Sequence, residues 1–341
     1  MSKQLDASQT IERFGVSRTA WRVGVICFFA LFALVGAVLS LVNGSTDIPF
    51  SQIMEILAAP GTDPHSMIIW NIRLPRTIVG ALVGINLALS GAILQAILRN
   101  PLADPHLIGI SSGAGVAGVV IMILYPALEY LITPVSFIGA MVAAVCIYIL
   151  AWKNGIKPVR IILAGVAVSA FLSAGISGLM IFYSDRVHGA LMWMVGGLAA
   201  RSWPHVSIIL PYAVIGVVLA LASAAYLNIL QLGDEMARGL GINVEITRVV
   251  LTAIAALLAA SAVSVVGLLG FVGLVVPHAA RLLVGSDYRY LLPASAFLGI
   301  ATITLSDTFA RVVFAPIELP VGIIMAFLGA PFFLFLLRRE I

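Results

Sequence analysis

Charge is what this chain has least of. Only 10% of its 341 residues are Asp, Glu, Lys or Arg, 61% are hydrophobic, and the mean hydropathy is +1.12. A soluble domain of this size needs far more polar surface. Cysteine is nearly missing too: Cys27 and Cys146 sit in separate apolar runs without ligand spacing, and read as lipid-facing or packing residues. None of the three lysines, which follow Ser2, Trp152 and Ile156, stands in a Gly-Lys-Ser/Thr context. Without that phosphate cradle the chain cannot hydrolyse ATP in the P-loop manner. The +4 net charge is spread through short loops with no basic face or aromatic platform, which argues against nucleic acid.

Apolar runs of 18 to 24 residues do recur along the whole length. Each is long enough to cross a hydrocarbon layer of ~30 Å as a helix. The runs do not alternate apolar and polar residues as barrel strands would, so helices are the spanning structure. Ten spans are predicted, at 23–42, 77–98, 107–126, 134–152, 160–183, 205–226, 247–268, 270–284, 291–313 and 320–337. The first follows Lys3, Arg13, Arg18 and Arg22 and is longer than a secretory signal core, so it reads as a retained helix with a cytoplasmic start. The stretch 247–284 could be one helix or two, and Gly267, Gly270, Gly273 and Pro277 argue for a break. Charge agrees. Ten spans place 14 of the 19 Lys and Arg on the cytoplasmic side, whereas merging the two spans lowers this to 11.

Acidic residues are nearly absent from these spans, which hold only Asp307. An ion-coupled carrier usually keeps carboxylates near the midplane, where each costs ~3 kcal/mol unless used. Asp307 lies four residues before Arg311, so it reads as a structural ion pair along one helix face, with a coupling site as the alternative. His106 near Asp104, and His278 with Arg281, lack a second ligand at helical spacing; no metal site is expected. Transport driven by another subunit is the leading reading.

Five segments carry more. Arg73-Leu74-Pro75-Arg76 precedes the second span on the outer side, as either a lipid-phosphate anchor or a docking point for an acidic partner. The run Arg99-Asn100-Pro101-Leu102-Ala103-Asp104-Pro105-His106 makes a rigid cytoplasmic turn. In the internal loop 227–246, Leu232, Met236 and Leu240 alternate with charges as in a short amphipathic helix ended by glycine, suited to a groove on a cytoplasmic partner. Gly270-Phe271-Val272-Gly273 leads through Pro277-His278 to Arg281. Glu318-Leu319-Pro320-Val321-Gly322 leads to Gly329-Ala330-Pro331-Phe332. Pro105-His106 and Pro277-His278 also fall at loosely matching places of two five-helix halves.

In this order and spacing the five segments resemble the FecCD family of ABC permeases, which includes subunits of vitamin B12, ferric siderophore and haem importers. The likeness runs from about residue 20 to the C-terminus. It implies an all-α membrane protein of ten helices, one permease domain over 1–341 with a cytoplasmic segment 1–22, in the type II importer fold of the vitamin B12 permease. It also implies pairing with a second permease subunit, two ATPase subunits that bind ATP and magnesium, and a substrate-binding protein. The chain itself is expected to bind no cofactor and to be no enzyme.

By the same resemblance, Arg73, Arg76 and Arg311 dock the binding protein. Asn100, Leu102, Lys157 and Pro158 match the cytoplasmic gate. Coupling to the ATPase falls to Leu232, Gly233, Asp234, Glu235, Met236, Ala237, Arg238, Gly239, Leu240 and Gly241. The family's external Gly-Ser-Leu reads Gly196-Gly197-Leu198 here, after Trp193. The cargo implied is an iron chelate, with corrinoid or haem as alternatives, in a bacterial inner membrane with both termini cytoplasmic.

The fifth span carries a row of small residues, Gly165, Ser169, Ser173 and Ser177. Close helix packing and the lining of a weakly polar translocation path both fit it. His188, Met192, Trp193 and Met194 near the outer mouth suggest haem or, more plainly, ordinary interface composition.

Overall fold

The computed structural model describes residues 17–340 apart from 45, 60, 107–108, 154–157, 314 and 316. Helix α1 (Arg18–Val42) starts behind Ser17, whose hydroxyl accepts the Ala20 amide at 3.2 Å and satisfies a free donor of the first turn. Two short helices, α2 (Phe50–Ala58) and α3 (Pro64–Ile68), lead through a π-helical turn at Ile69–Arg73 into α4 (Leu74–Leu98). Pro75 sits in the first turn of α4, where an amide would have no partner anyway. Then come α5 (Ile110–Leu124), a 3-10 segment at Pro126–Leu131, α6 (Ile132–Ala151), α7 (Pro158–Phe182) and the short α8 (Val187–Val195). Helix α9 (Trp203–Ala222) is followed by two short helices, α10 (Ala224–Gln231) and α11 (Asp234–Gly239). The chain finishes with α12 (Val244–Val266), α13 (Val272–Val284), α14 (Tyr288–Val312) and α15 (Val321–Glu340).

Seven helical stretches of the described residues are long and apolar enough to cross a membrane, and α5, α13 and α15 supply three shorter apolar ones. Among the described residues these ten fall where the ten spans are predicted. The break expected within 247–284 is present: α12 ends at Gly267, which has a φ of +83°. A Cβ at that position would overlap the Trp193 carbonyl. Five residues then run without helix to α13. Gly267 and Leu269 of this irregular backbone are buried and Leu268, Gly270 and Phe271 half-buried, so protein covers much of it, the setting in which a membrane tolerates such backbone. Its 13 residues make α13 only ~20 Å long, too short to span alone.

Two helices form the centre. The most apolar windows of α4 and α12 are each 78% buried, against 28% for α1, α6 and α9 and 17% for α7. Large apolar side chains such as Phe28, Ile149, Phe171 and Val218 are left exposed on the peripheral helices, as lipid-facing surfaces require. The central helices carry the polar glue: Asn86 donates to Ser261 at 2.9 Å, and the Ser90 hydroxyl to the Ala255 carbonyl at 2.7 Å. Glycine sets how closely α4 meets α13, since a Cβ on Gly91 would overlap the Gly273 backbone. At that crossing Gln95 donates to the carbonyls of Gly273 and Leu274 at 3.2 and 3.3 Å.

Candidate functional site

Two clusters of charge sit at opposite ends of the bundle. At one end the structure gathers Arg73, Arg76 and Arg311, from the π-turn, α4 and α14, around a cavity of about 190 Å³ that Gly44, Thr46 and Glu318 also line. All three arginines are buried, at 3%, 6% and 7% exposure. None stands free. Arg76 grips Asp307 with two nitrogens, at 3.0 and 2.9 Å, and reaches Glu318 at 2.8 Å. Arg311 meets Asp307 at 3.3 Å and donates to the Ser40 carbonyl and hydroxyl at 3.1 Å. Ser40 is in turn 2.8 Å from the Thr77 hydroxyl, so α1, α4 and α14 are tied together.

Arg73 is held differently. Its guanidinium donates to the carbonyls of Leu41, at 2.9 Å, of Val42, at 2.6 Å, and of Thr46. Gly44 permits this wrap, because a Cβ there would lie 2.7 Å from the guanidinium. The Asp307–Arg311 pair expected along one helix face is present, but the closer partner of Asp307 is Arg76, 231 positions away. Asp307 and Glu318 answer Arg76 and Arg311, and Asp47 acts attractively on Arg73. Asp307 and Glu318 were not among the predicted docking residues. The Glu318-Leu319-Pro320 motif was a usable signal for the second; nothing local marks the first as Arg76's partner.

At the other end lie the turn after α4 and the short helix α11. Leu232, Met236 and Leu240 are exposed, whereas Ala237 is fully buried, so α11 and the residues flanking it turn an apolar edge outward as the spacing predicts. Gly233 and Gly241, at φ +105° and +82°, bracket it. Glu235 and Gly239 are exposed, and Arg238 pairs with Glu245 at 2.8 Å. Asp234 receives both guanidinium nitrogens of Arg248, at 3.0 and 2.8 Å, and also contacts Arg99.

The turn is internally fixed: the Asn100 side chain accepts the Leu102 amide at 2.9 Å, and Asp104 accepts the His106 amide at 2.8 Å. Burial pushes the Asp104 carboxyl above its usual range, opposed by the His106 amide. Asn100, Leu102 and Pro158 are half-buried; Lys157 lies outside the described residues. Arg248 was missed at this end, and Arg99, which opens the predicted turn, was given no role of its own. An isolated arginine at the start of a predicted span was the available signal for Arg248.

The small-residue row on α7 splits. Gly165 is buried and Ser169 packs near Gly109, while Ser173 and Ser177 are exposed. Four residues advance a 3.6-residue helix by about 40° beyond a full turn, so an i, i+4 row drifts from one face to the next. Close packing describes the first two positions, and the last two remain available to line a path. His188 and Met192 are exposed on α8, whereas Trp193 is buried at 6%. Among the described residues no group of three His, Cys, Asp or Glu side chains could hold a metal ion. Both cysteines are exposed and free on the peripheral helices α1 and α6.

Residues 31–339 match the FecCD transport family. The chain is 46% identical over 303 residues to the cobalamin import system permease protein BtuC of Halobacterium salinarum, covering 87% of this chain and 82% of that one. It is 40% identical over 319 residues to the Fe(3+)-citrate import system permease protein YfmE of Bacillus subtilis, covering 92% and 95%. With the Fe(3+) dicitrate transport system permease protein FecD of Escherichia coli the identity is 35% over 320 residues, covering 93% and 99%. Among solved structures, an inward-facing conformation of a metal-chelate type ABC transporter superposes with a TM-score of 0.82 at 28% identity, covering 93% of this chain and 99% of that one.

Proposed function

The chain belongs to the FecCD transport family, and from that premise we propose that it is the membrane subunit of a binding-protein-dependent ABC importer for an iron chelate. The match across residues 31–339 carries the reading. A corrinoid is the second reading, favoured by the 46% identity to a cobalamin permease. The subunit sits in the cytoplasmic membrane with both termini inside, which puts the Arg76 end outside and the Asp234 end within. It pairs with a second permease subunit, two ATPase subunits and a soluble or lipid-anchored binding protein. Chemistry is left to the ATPase, which binds ATP and magnesium.

The residues support a division of labour. Outside, the cavity gathers the guanidiniums of Arg73, Arg76 and Arg311, donors that suit a carboxylate from the binding protein. Arg73 is the residue on which to test this, because its hydrogen bonds go to carbonyls and the nearby Asp47 is exposed, so its loss leaves no buried carboxylate orphaned. Arg73→Gln should weaken capture of the binding protein by about tenfold or more, tenfold lying just under the lower end for interfacial charge pairs; unchanged capture would remove the docking role. Inside, Leu232, Met236 and Leu240 offer an apolar edge to an ATPase groove. Between them, Ser173 and Ser177 face the passage, where weak contacts let a bulky chelate leave.

Reconstitution tests the whole. In liposomes the chain alone should accumulate nothing under an ion gradient, and the assembled importer should accumulate chelate only with ATP. Accumulation by the chain alone would sink the reading. Mass spectrometry of the ligand held by the co-purified binding protein decides between iron chelate and corrinoid.

A further inference from the structure

One carboxylate at the inner end joins three separate segments. Asp234 is the first residue of α11, and Arg248, from the first turns of α12, grips it through two nitrogens with a side chain only 2% exposed. Arg99, the residue that caps α4, reaches the same carboxylate with a side chain 38% exposed. Among the described residues Arg99 is one of three non-glycine residues with positive φ, at +47°, and is the last residue before Asn100, whose side chain braces the turn. The far end of that turn is buried: Asp104 and Pro105 lie close against Gly273, at the start of the short helix α13. Burial and the nearby Arg248 both lower the proton affinity of Arg99, so the two cations oppose one another except through the shared carboxylate.

We propose that Asp234 is the positioning residue through which displacement of α11 is passed to the turn 99–106. The proposal rests on the importer reading above. Its two partners differ in freedom. Arg248 is sunk in the protein and acts as the pivot. Arg99 is over a third exposed and sits on a backbone joint outside the regular helix, so it is the arm that can move. A push on the exposed edge of α11 turns Asp234 about Arg248 and draws Arg99, with Asn100 and Leu102 behind it. The tightly bonded turn then transmits the motion to Gly273 rather than absorbing it.

The test uses the complete importer, chain plus ATPase subunits and binding protein, in proteoliposomes, with ATP hydrolysed and chelate accumulated measured together. Arg99→Ala should assemble and hydrolyse ATP, and in both Arg99→Ala and Asp234→Asn chelate delivered per ATP should fall by about tenfold, a usual size for coupling between linked sites. Asp234→Glu should restore most of the ratio. The double variant should be no worse than the poorer single one, because both break the same link. Should Asp234→Asn fail to assemble, Arg99→Ala decides alone, since it leaves the Asp234–Arg248 grip in place. Unchanged chelate per ATP in Arg99→Ala overturns the link, as does a loss confined to assembly or yield, which is what a merely structural role would show. Independent, multiplying losses in the double variant overturn it as well. A wild-type chain that recruits no ATPase is a separate failure, that of the importer reading itself.

Discussion

The two charged ends solve the same problem, keeping guanidinium groups beside a membrane, in opposite ways. At the Arg76 end the central carboxylate is sealed, with Asp307 and Arg76 side chains 2% and 7% exposed, and three helices are knitted together. At the Asp234 end the central carboxylate is 31% exposed and only Arg248 is sealed. A buried carboxylate shared by two arginines holds position, since water cannot replace it. A half-exposed one can exchange partners as the parts around it move. The difference separates a fixed clamp from a joint.

Several substitutions would break or sharpen that contrast. The largest effect is expected from Asp307→Asn, which strips two buried arginines of their carboxylate. By analogy with broken buried pairs it should cost ~3–5 kcal/mol, seen as a steep fall in melting temperature of the purified protein. Glu318→Gln at the same end should cost about 1 kcal/mol or less, because that side chain is 41% exposed. Equal losses would show that the clamp is not centred on Asp307.

Next is Arg248→Ala at the other end. It leaves Asp234 able to rehydrate, so melting should register a loss of about 1–3 kcal/mol, between the buried and surface limits. A loss as large as that of Asp307→Asn would erase the distinction between clamp and joint. Smaller still is Arg238→Ala, which removes an exposed pair with Glu245; it should cost ~0.2–1 kcal/mol and vanish in high salt. A salt-independent loss would place that pair inside the joint rather than on its surface.

Acid should separate two carboxylates at the Asp234 end by sign. Asp287 caps α14 and bonds Arg289 and Asn228, and the Arg289 bond holds its pKa below the usual carboxylate range. Its contribution is complete above the unfolded-state pKa and is lost as pH falls through the lower folded value. Asp104 is shifted upward by burial, so its contribution is complete below the unfolded pKa and lost as pH rises through the raised one. Melting curves of Asp287→Asn and Asp104→Asn against pH should therefore diverge from the parent in opposite directions. Parallel curves would mean that neither shift is present.

Much of this was legible beforehand, and the reason is visible at particular residues. The break near Gly267, the exposed edge of Leu232, Met236 and Leu240, and the rigid turn 99–106 all arise from local rules of glycine, proline and helical spacing. The convergence of Arg73, Arg76 and Arg311 was expected through resemblance, but their condition was not. Hydropathy shows that an arginine lies at a span's end, and it cannot say whether the side chain turns inward. The serine row on α7 was ambiguous for the same reason, because its drift around the helix matters only once α5 and α6 are in place.

The order of residues alone determined which segments enter the membrane, where they end and which family's motifs they carry. Those properties depend on length, apolarity and turn chemistry within a few residues. Only the tertiary structure decided that Arg76 belongs to Asp307, and that Asp234 is shared by Arg99 and Arg248. Such pairings depend on the depth and rotation of helices far apart in the chain, and helices apolar on nearly every side leave no local trace of either.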